Sequence, residues 1–168
     1  MTAQDFRIAH DRVAGKPLDE TAWIAIEDIY NGLTLPYESD ERFKTLNEGQ
    51  KAVYVLHWVQ SEIRNGGFEQ LYFNVTGRFA ALAPAAARSV GAEGYARVFA
   101  RANGLLVAGG DVPEQHELRR KALQDLLAER RDELEAIEDD FFALLSETDI
   151  YDLLGRYVLK HPQDFFVD

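Results

Sequence analysis

The residues of this chain best suited to acid–base or metal chemistry are its four histidines, His10, His57, His116 and His161. None has a second histidine three or four residues away, the spacing that puts two imidazoles on one helical face. His116-Glu117-Leu118-Arg119-Arg120 opens like a zinc-protease helix but ends on arginine where the second histidine belongs. His57 interrupts an apolar run and reads as a core histidine rather than a ligand or base. A carboxylate-bridged metal bundle needs Glu-x-x-His repeats, whereas Glu62 is followed by Asn65 and Glu138 by Phe141. The absence of cysteine excludes thiolate nucleophiles, cysteine-ligated metals and disulfides. There is no dinucleotide fingerprint, P-loop or G-x-S-x-G turn. With 29 acids in 168 residues, neighbouring carboxylates arise by chance. No catalytic residue, metal ligand or cofactor is therefore assigned, and the chain reads as a protein that is not an enzyme.

The most distinctive stretch runs from Glu62 through Asn65-Gly66-Gly67-Phe68 to Gln70 and Asn74. Its residue types suit a tight corner between two helices. Asn65 and the two glycines tolerate the left-handed backbone that stops a helix, and Gly66 is the position expected at positive φ. Phe68, Leu71 and Tyr72 or Phe73 are expected to plug the core. Glu62, Gln70 and Asn74 are expected to satisfy backbone groups that the corner buries. The alternative is a polar pocket built on the same corner.

The elements that must hold this corner read as helices. Phe6, Ala9, His10 and Val13 share a helical face, closed by Gly15-Lys16-Pro17. Trp23, Ile26, Ile29, Tyr30 and Leu33 mark a second helix, closed by Asn31-Gly32 and Pro36. A short helix is expected over 40–46. Asn47 with Gln50 forms a capping box for a helix over 48–64, apolar nearly all round and hence central. Helices follow over 68–74, over 78–90 with a break at Pro84, and over 93–108. Asp111 and Glu114 suggest another capping box, opening a long helix over 113–145 with an interruption near 129–132. Ser146 and Asp149 suggest a cap for a last helix over 150–159. No strand alternation or solenoid repeat is present. The expected fold is all-α: a single compact globular multi-helix domain over 1–168. Residues 1–40 form an N-terminal helical extension in this reading.

The formal net charge of −11 is unevenly spread. The segment 1–50 carries −5, 51–113 carries +2, 114–152 carries −8, and 153–168 is neutral. Such a surface repels DNA, RNA and anionic lipid, so no direct nucleic-acid or membrane partner is expected. The polar start lacks the cationic and apolar stretches of a secretory signal, and no apolar run reaches bilayer length. The expected compartment is the cytoplasm.

Glu62, Ile63, Asn65, Gly66, Gly67, Phe68, Gln70, Leu71, Tyr72 and Asn74 together resemble the hallmark of the bacterial DNA-mimic protein family, a family otherwise known as a domain of unknown function. That hallmark is a helix ending in E-(I/V)-x-N-G-G-F, followed by Q-(F/Y/L)-(F/Y)-x-N. The layout beyond it is similar too, with a long acidic helical region at Asp139-Asp140-Phe141-Phe142, a Tyr157-Val158 segment and a late aromatic at Phe165 or Phe166. The match is specific over 47–77, loose to the C-terminus and absent before about residue 40. The resemblance implies an all-helical fold over a core of 47–167, no catalysis, and occupation of the DNA site of a transcription factor. In that family the hallmark supports the fold and is not itself the mimic surface.

The partner-binding expectation therefore falls on acids elsewhere. Between residues 132 and 145, Leu134, Ile137, Phe141 and Leu144 or Leu145 form a buried stripe. Asp132, Glu135, Glu138, Asp139 and Asp140 lie away from it as an acidic ridge, and Asp125 and Glu129 extend it if the helix runs straight. Like charges at i, i+4 cost a few tenths of a kcal/mol each, yet no lysine or arginine occurs between Asp132 and Tyr151. The first expectation is an acidic protein that binds a DNA-binding protein or transcription factor in competition with DNA. The alternatives are a general helical interaction module of antitoxin or immunity type, with the acids serving solubility, and a small metal-dependent hydrolase using Glu62 and His57. The sequence is compatible with a homodimer and does not specify one.

Overall fold

The computed structural model describes residues 5–33 and 40–167. In chain order the elements are β1 (Ile8–Ala9), a 3-10 turn (His10–Val13), α1 (Leu18–Gly32), α2 (Asp40–Thr45), α3 (Glu48–Phe73), a 3-10 stretch (Val75–Leu82), α4 (Ala83–Ser89), α5 (Glu93–Leu106), α6 (His116–Glu147), α7 (Ile150–Lys160), α8 (Pro162–Phe165) and β2 (Phe166–Val167). The expected all-helical fold is present. Among the described residues, its one departure is a parallel pair of two-residue strands, Ile8 opposite Phe166 and Ala9 opposite Val167.

The centre is α3. Its capping box forms as the sequence indicates: Gln50 N donates to Asn47 Oδ1 at 2.8 Å, and Asn47 N donates to Gln50 Oε1 at 3.3 Å. The same two side chains donate to the Asp164 carbonyl at 2.9 and 3.1 Å, tying the chain's C-terminal turn to the start of the central helix. Beyond the cap, Val53, Leu56, Val59 and Ile63 are completely buried, and Tyr54 and Val55 nearly so. A helix apolar on almost every side must be wrapped by others. Here α1, α4, α6 and α7 all pack on it.

Residues between 6 and 29 are built into this core. Ala22, Ala25, Ile26 and Ile29 of α1 are buried, and Phe6, Ile8 and Val13 join the same apolar cluster. The expected helix over 6–13 does not form. An uncapped segment of eight residues is a marginal helix in water, and pairing of Ile8 and Ala9 with β2 satisfies the backbone instead. The helix α1 ends at Gly32 as expected; Pro36 lies outside the described residues.

Three expected breaks are observed. Pro84 sits in the first turn of α4, where its missing N–H is harmless. Non-helical backbone interrupts α3 at Gly66–Gly67 and α6 at Arg130. Asp149 caps α7 by accepting from Tyr151 N at 2.9 Å. The Asp111–Glu114 capping box is a correction, because α6 begins only at His116. The carbonyls of Pro113 and Glu114 are turned instead to Arg119 Nη1, at 2.8 and 3.0 Å.

A close backbone approach joins α1 to α7. A β-carbon built on Gly155 would lie 2.0 Å from the Leu18 carbonyl oxygen, and backbone cannot step aside as a side chain can. Gly155→Ala is therefore expected to destabilise the fold by about 1–3 kcal/mol, read as a lower midpoint in urea denaturation; an unchanged midpoint would show that α1 is not seated there.

Candidate functional site

The corner motif closes on a carboxylate. Glu62 is buried, and both of its oxygens are engaged. Gln70 Nε2 and Asn74 Nδ2 donate to Oε2 at 2.7 and 2.9 Å, and the Thr76 hydroxyl donates to Oε1. The motif's polar residues thus bond chiefly to one another, not to backbone as expected. A charged group placed inside a protein needs this many donors, because every unfilled lone pair is a desolvation loss.

The break in α3 leaves a short helix, 68–73, whose two ends meet opposite charges from α6. Glu138 Oε2 accepts from Phe68 N at 2.9 Å, at the positive end of that short helix. At the other end Arg119 is completely buried. Its guanidinium donates to the carbonyls of Tyr72 (3.1 Å), Asn74 (2.7 Å) and Val75 (3.4 Å). His116 Nε2 lies 2.7 Å from the Phe73 carbonyl oxygen. Burial lowers the Arg119 pKa to about 10, with nearby Arg78 adding to the effect, so the guanidinium is still charged at neutral pH. Carbonyl dipoles at a helix C-terminus are its counter-charge.

Two expectations are corrected here. Gly67, not Gly66, has positive φ: Gly67 lies at φ 73°, ψ −175°, and Gly66 at φ −159°, ψ 28°. Glu138, expected on the ridge, is half-buried and turned inward to Phe68. It flanks the apolar stripe at i+4 from Leu134, which is why its side chain reaches the corner.

The remaining ridge residues stay on the surface, in different settings. Asp132, Glu135 and Asp139 are exposed and make no ion pair or hydrogen bond through their side chains among the described residues. Asp140 is paired with Arg101 at 2.6 Å. Asp125 is paired with Lys121 at 3.2 Å, and it and Glu129 lie before the kink at Arg130, so the helix does not run straight through all seven acids. Asn65 is exposed at the corner and its side chain is unbonded among the described residues.

Sequence reasoning missed Arg119 and Thr76. The signal for Arg119 was present: it stands at i−4 from Leu123 and i−7 from Leu126, on the buried stripe of α6. Thr76 carries no such periodic signal.

His57 is the buried histidine that its setting suggested. Trp23, Tyr30, Trp58 and Tyr151 surround its ring, and Nδ1 lies 2.6 Å from the Tyr151 hydroxyl oxygen. Burial lowers its pKa from 6.5 to about 4. Among the described residues no group of three or more His, Cys, Asp or Glu side chains could hold a metal ion. No described helix is long and apolar enough to cross a membrane.

The chain is thus a helical frame with a charge-closed corner and an acidic outer helix. The family model described as DMP19-like protein matches residues 44–161, and the chain belongs to that family. The matched span holds the whole corner, the acidic helix and α7, and leaves α1 outside it. Neither a curated protein nor a solved structure matches the chain.

Two predictions follow from this geometry. Gly67→Ala places a side chain in a backbone region almost confined to glycine, with its β-carbon 2.0 Å from Glu138 Oε2. It is expected to cost about 1–3 kcal/mol or more, and more than Gly66→Ala in parallel denaturation curves; the reverse order would reject the assignment of the strained residue. For His57 the unfolded chain takes up its proton near pH 6.5 and the folded chain near 4. Between those values the unfolded state holds the extra proton, so stability falls as pH is lowered through that window, by up to about 1.4 kcal/mol per pH unit. His57→Phe should flatten this part of the stability–pH curve, and an unaltered slope would show that His57 does not carry it.

Proposed function

We propose that this protein is an acidic DNA mimic that binds a DNA-binding protein, such as a transcription factor, and excludes DNA from it. The observation that carries this reading is the row of unpaired carboxylates at Asp132, Glu135 and Asp139 on the solvent face of α6. The helix beneath them is held by Leu134, Ile137 and Phe141 in the core and by Glu138 at the corner. Asp132 and Asp139 lie about 10.5 Å apart along the helix axis, so the row averages one charge per about 5 Å. One strand of B-DNA carries a charge per about 3.4 Å of axis. The row is therefore nearer to one phosphate strand than to a duplex; Arg130 and Arg131 just before it are paired with Glu133 and Glu69, and no lysine or arginine follows Asp132 in this helix. Membership of the DMP19-like family, which is not a known enzyme family, supports the same reading.

A rigid frame matters for such a surface. Like charges repel, and a flexible segment would let them spread apart. The break in α3 and its two charged anchors fix the orientation of α6, and with it the face on which these acids stand. The alternative, a general helical interaction module, would bind through apolar contacts and respond weakly to salt.

The test uses the full chain to capture its partner from native lysate, eluted separately with duplex DNA and with salt. Both are expected to release a DNA-binding protein. Changing Asp132→Asn, Glu135→Gln and Asp139→Asn together is expected to leave the melting temperature unchanged or slightly raised, because the Glu135–Asp139 repulsion is removed, and to abolish capture. Retained capture by a folded triple variant would reject the ridge, and a partner indifferent to DNA and salt would reject mimicry.

A further inference from the structure

Both tryptophans of the chain, Trp23 and Trp58, stand in one aromatic cluster with Tyr30, Tyr54, Tyr151 and His57. Ring centroids are 5.5 Å apart for Trp23 and His57, and 5.7 Å apart for Tyr30 and His57. They are 5.4 Å apart for Tyr30 and Trp58, where the rings stack, and 6.3 Å for Trp58 and Tyr54. His57 and Tyr151 are 6.2 Å apart. At these separations neighbouring rings are in contact, so the cluster is continuous from the surface inward. Trp23 and Tyr30 are each 37% exposed, His57 is buried, and Tyr151 is partly buried.

Packing uses the apolar faces of these rings and leaves their redox chemistry unused. Indole and phenol are, after sulfur groups, the side chains that give up one electron most readily. The chain has no cysteine, and its single methionine is Met1. Beyond that first residue, no sulfur competes for an electron vacancy formed at the exposed rings. Where the vacancy rests depends on where a phenol can lose its proton, because oxidised tyrosine persists only as the neutral phenoxyl. Among the three tyrosines of the cluster, Tyr151 has a base in place: its hydroxyl oxygen lies 2.6 Å from His57 Nδ1. Tyr54 meets the Trp58 indole N–H, which only donates. Tyr30 makes ring contacts but no side-chain hydrogen bond among the described residues. Burial raises the Tyr151 pKa, against the opposing effect of hydrogen bonding with Ser61, so the phenol holds its proton at neutral pH. Burial also keeps His57 neutral there, with a pKa of about 4, which leaves one ring nitrogen as an acceptor. A phenol radical cation is a far stronger acid than that imidazolium, so the proton moves downhill once the electron has gone.

We propose that this cluster is a one-electron relay, in which an oxidant meeting Trp23 or Tyr30 draws its electron finally from Tyr151, whose proton passes to His57 Nδ1. The oxidant is a one-electron acceptor of the class of the carbonate radical or an outer-sphere metal complex. The phenolic O–H bond breaks, an N–H bond forms at Nδ1, and one electron travels through the rings to the oxidant. The products are a neutral Tyr151 phenoxyl radical, a His57 imidazolium and the oxidant reduced by one electron. The cluster lies on α1, α3 and α7, apart from the acidic face of α6, and does not depend on the DNA-mimic reading.

The test is flash oxidation of the full chain by photogenerated tris(bipyridine)ruthenium(III), with a cobalt(III) ammine as irreversible quencher. Transient absorption follows indolyl and tyrosyl radicals, and high-field EPR reads the trapped tyrosyl. An indolyl signal is expected first, decaying as a tyrosyl signal rises. In the unaltered chain the tyrosyl is expected to show the lowered largest g value of a phenoxyl that accepts a hydrogen bond from a cation. Tyr151→Phe is expected to lose that tyrosyl signal and to prolong the indolyl one. His57→Phe removes the proton acceptor and is expected to slow the rise of the tyrosyl about a hundredfold, the low end for a positioned base. The EPR reading needs no variant, so the proposal stays testable if either one folds poorly. A tyrosyl that rises without loss of an indolyl signal, a g value of an unbonded phenoxyl, an undiminished tyrosyl yield in folded Tyr151→Phe, or an unaltered rate in folded His57→Phe would each overturn it.

Discussion

The structure depends on how one interrupted helix has its ends satisfied. Breaking α3 at Gly66–Gly67 leaves a short helix, 68–73, with unpaired N–H groups at its start and unpaired carbonyls at its end. Water cannot serve groups that are buried, so other parts of the chain must. A single helix supplies both answers. Glu138, beyond the kink of α6, takes the Phe68 N–H, and Arg119, before the kink, takes the carbonyls of Tyr72, Asn74 and Val75. The signs agree with the dipole of the short helix at each end. The direction and axial position of α6 against the corner are thereby set, and its outer face is set with them.

Glu62 completes the corner from within. Its carboxylate gathers Gln70, Asn74 and Thr76, and Asn74 faces both charges, donating to Glu62 through its amide and accepting from Arg119 through its carbonyl. A buried acid and a buried base are therefore held about one asparagine without touching one another. Such an arrangement is intolerant of losing one member, because the partners left behind stay buried and unfilled. The surface acids obey the opposite logic. Asp132, Glu135 and Asp139 contribute nothing to packing, and their mutual repulsion is a small destabilisation. The corner therefore reads as framework, and the outer face of α6 is the surface proposed for a partner.

Much of the fold was legible in the sequence because its signals are local. The Asn47–Gln50 box, the Asp149 cap, the stop at Gly66-Gly67, Pro84 and the interruption near Arg130 depend on residues within one or two turns of each other. The errors share a different cause. The strand at Ile8–Ala9 exists only because Phe166–Val167 lies beside it. The Asp111–Glu114 box fails because Arg119 captures the neighbouring carbonyls. Glu138 left the expected ridge because a backbone N–H seventy residues earlier in the chain was waiting for it. Each is a long-range contact competing with a local preference, and each time the buried group with no other partner won.

By itself the sequence determined the helical class, the centrality of α3, the corner's place in the chain and the concentration of acid in α6, because periodicity, capping and composition are properties of short stretches. Only the tertiary structure decided which acids face solvent and which serve the interior, which glycine carries the positive φ, and which carbonyls Arg119 serves. Those outcomes turn on which donors and acceptors are brought within about 3 Å of each other. No spacing rule within one helix contains that information, because the partners lie on different helices whose relative placement is set by packing of the whole core.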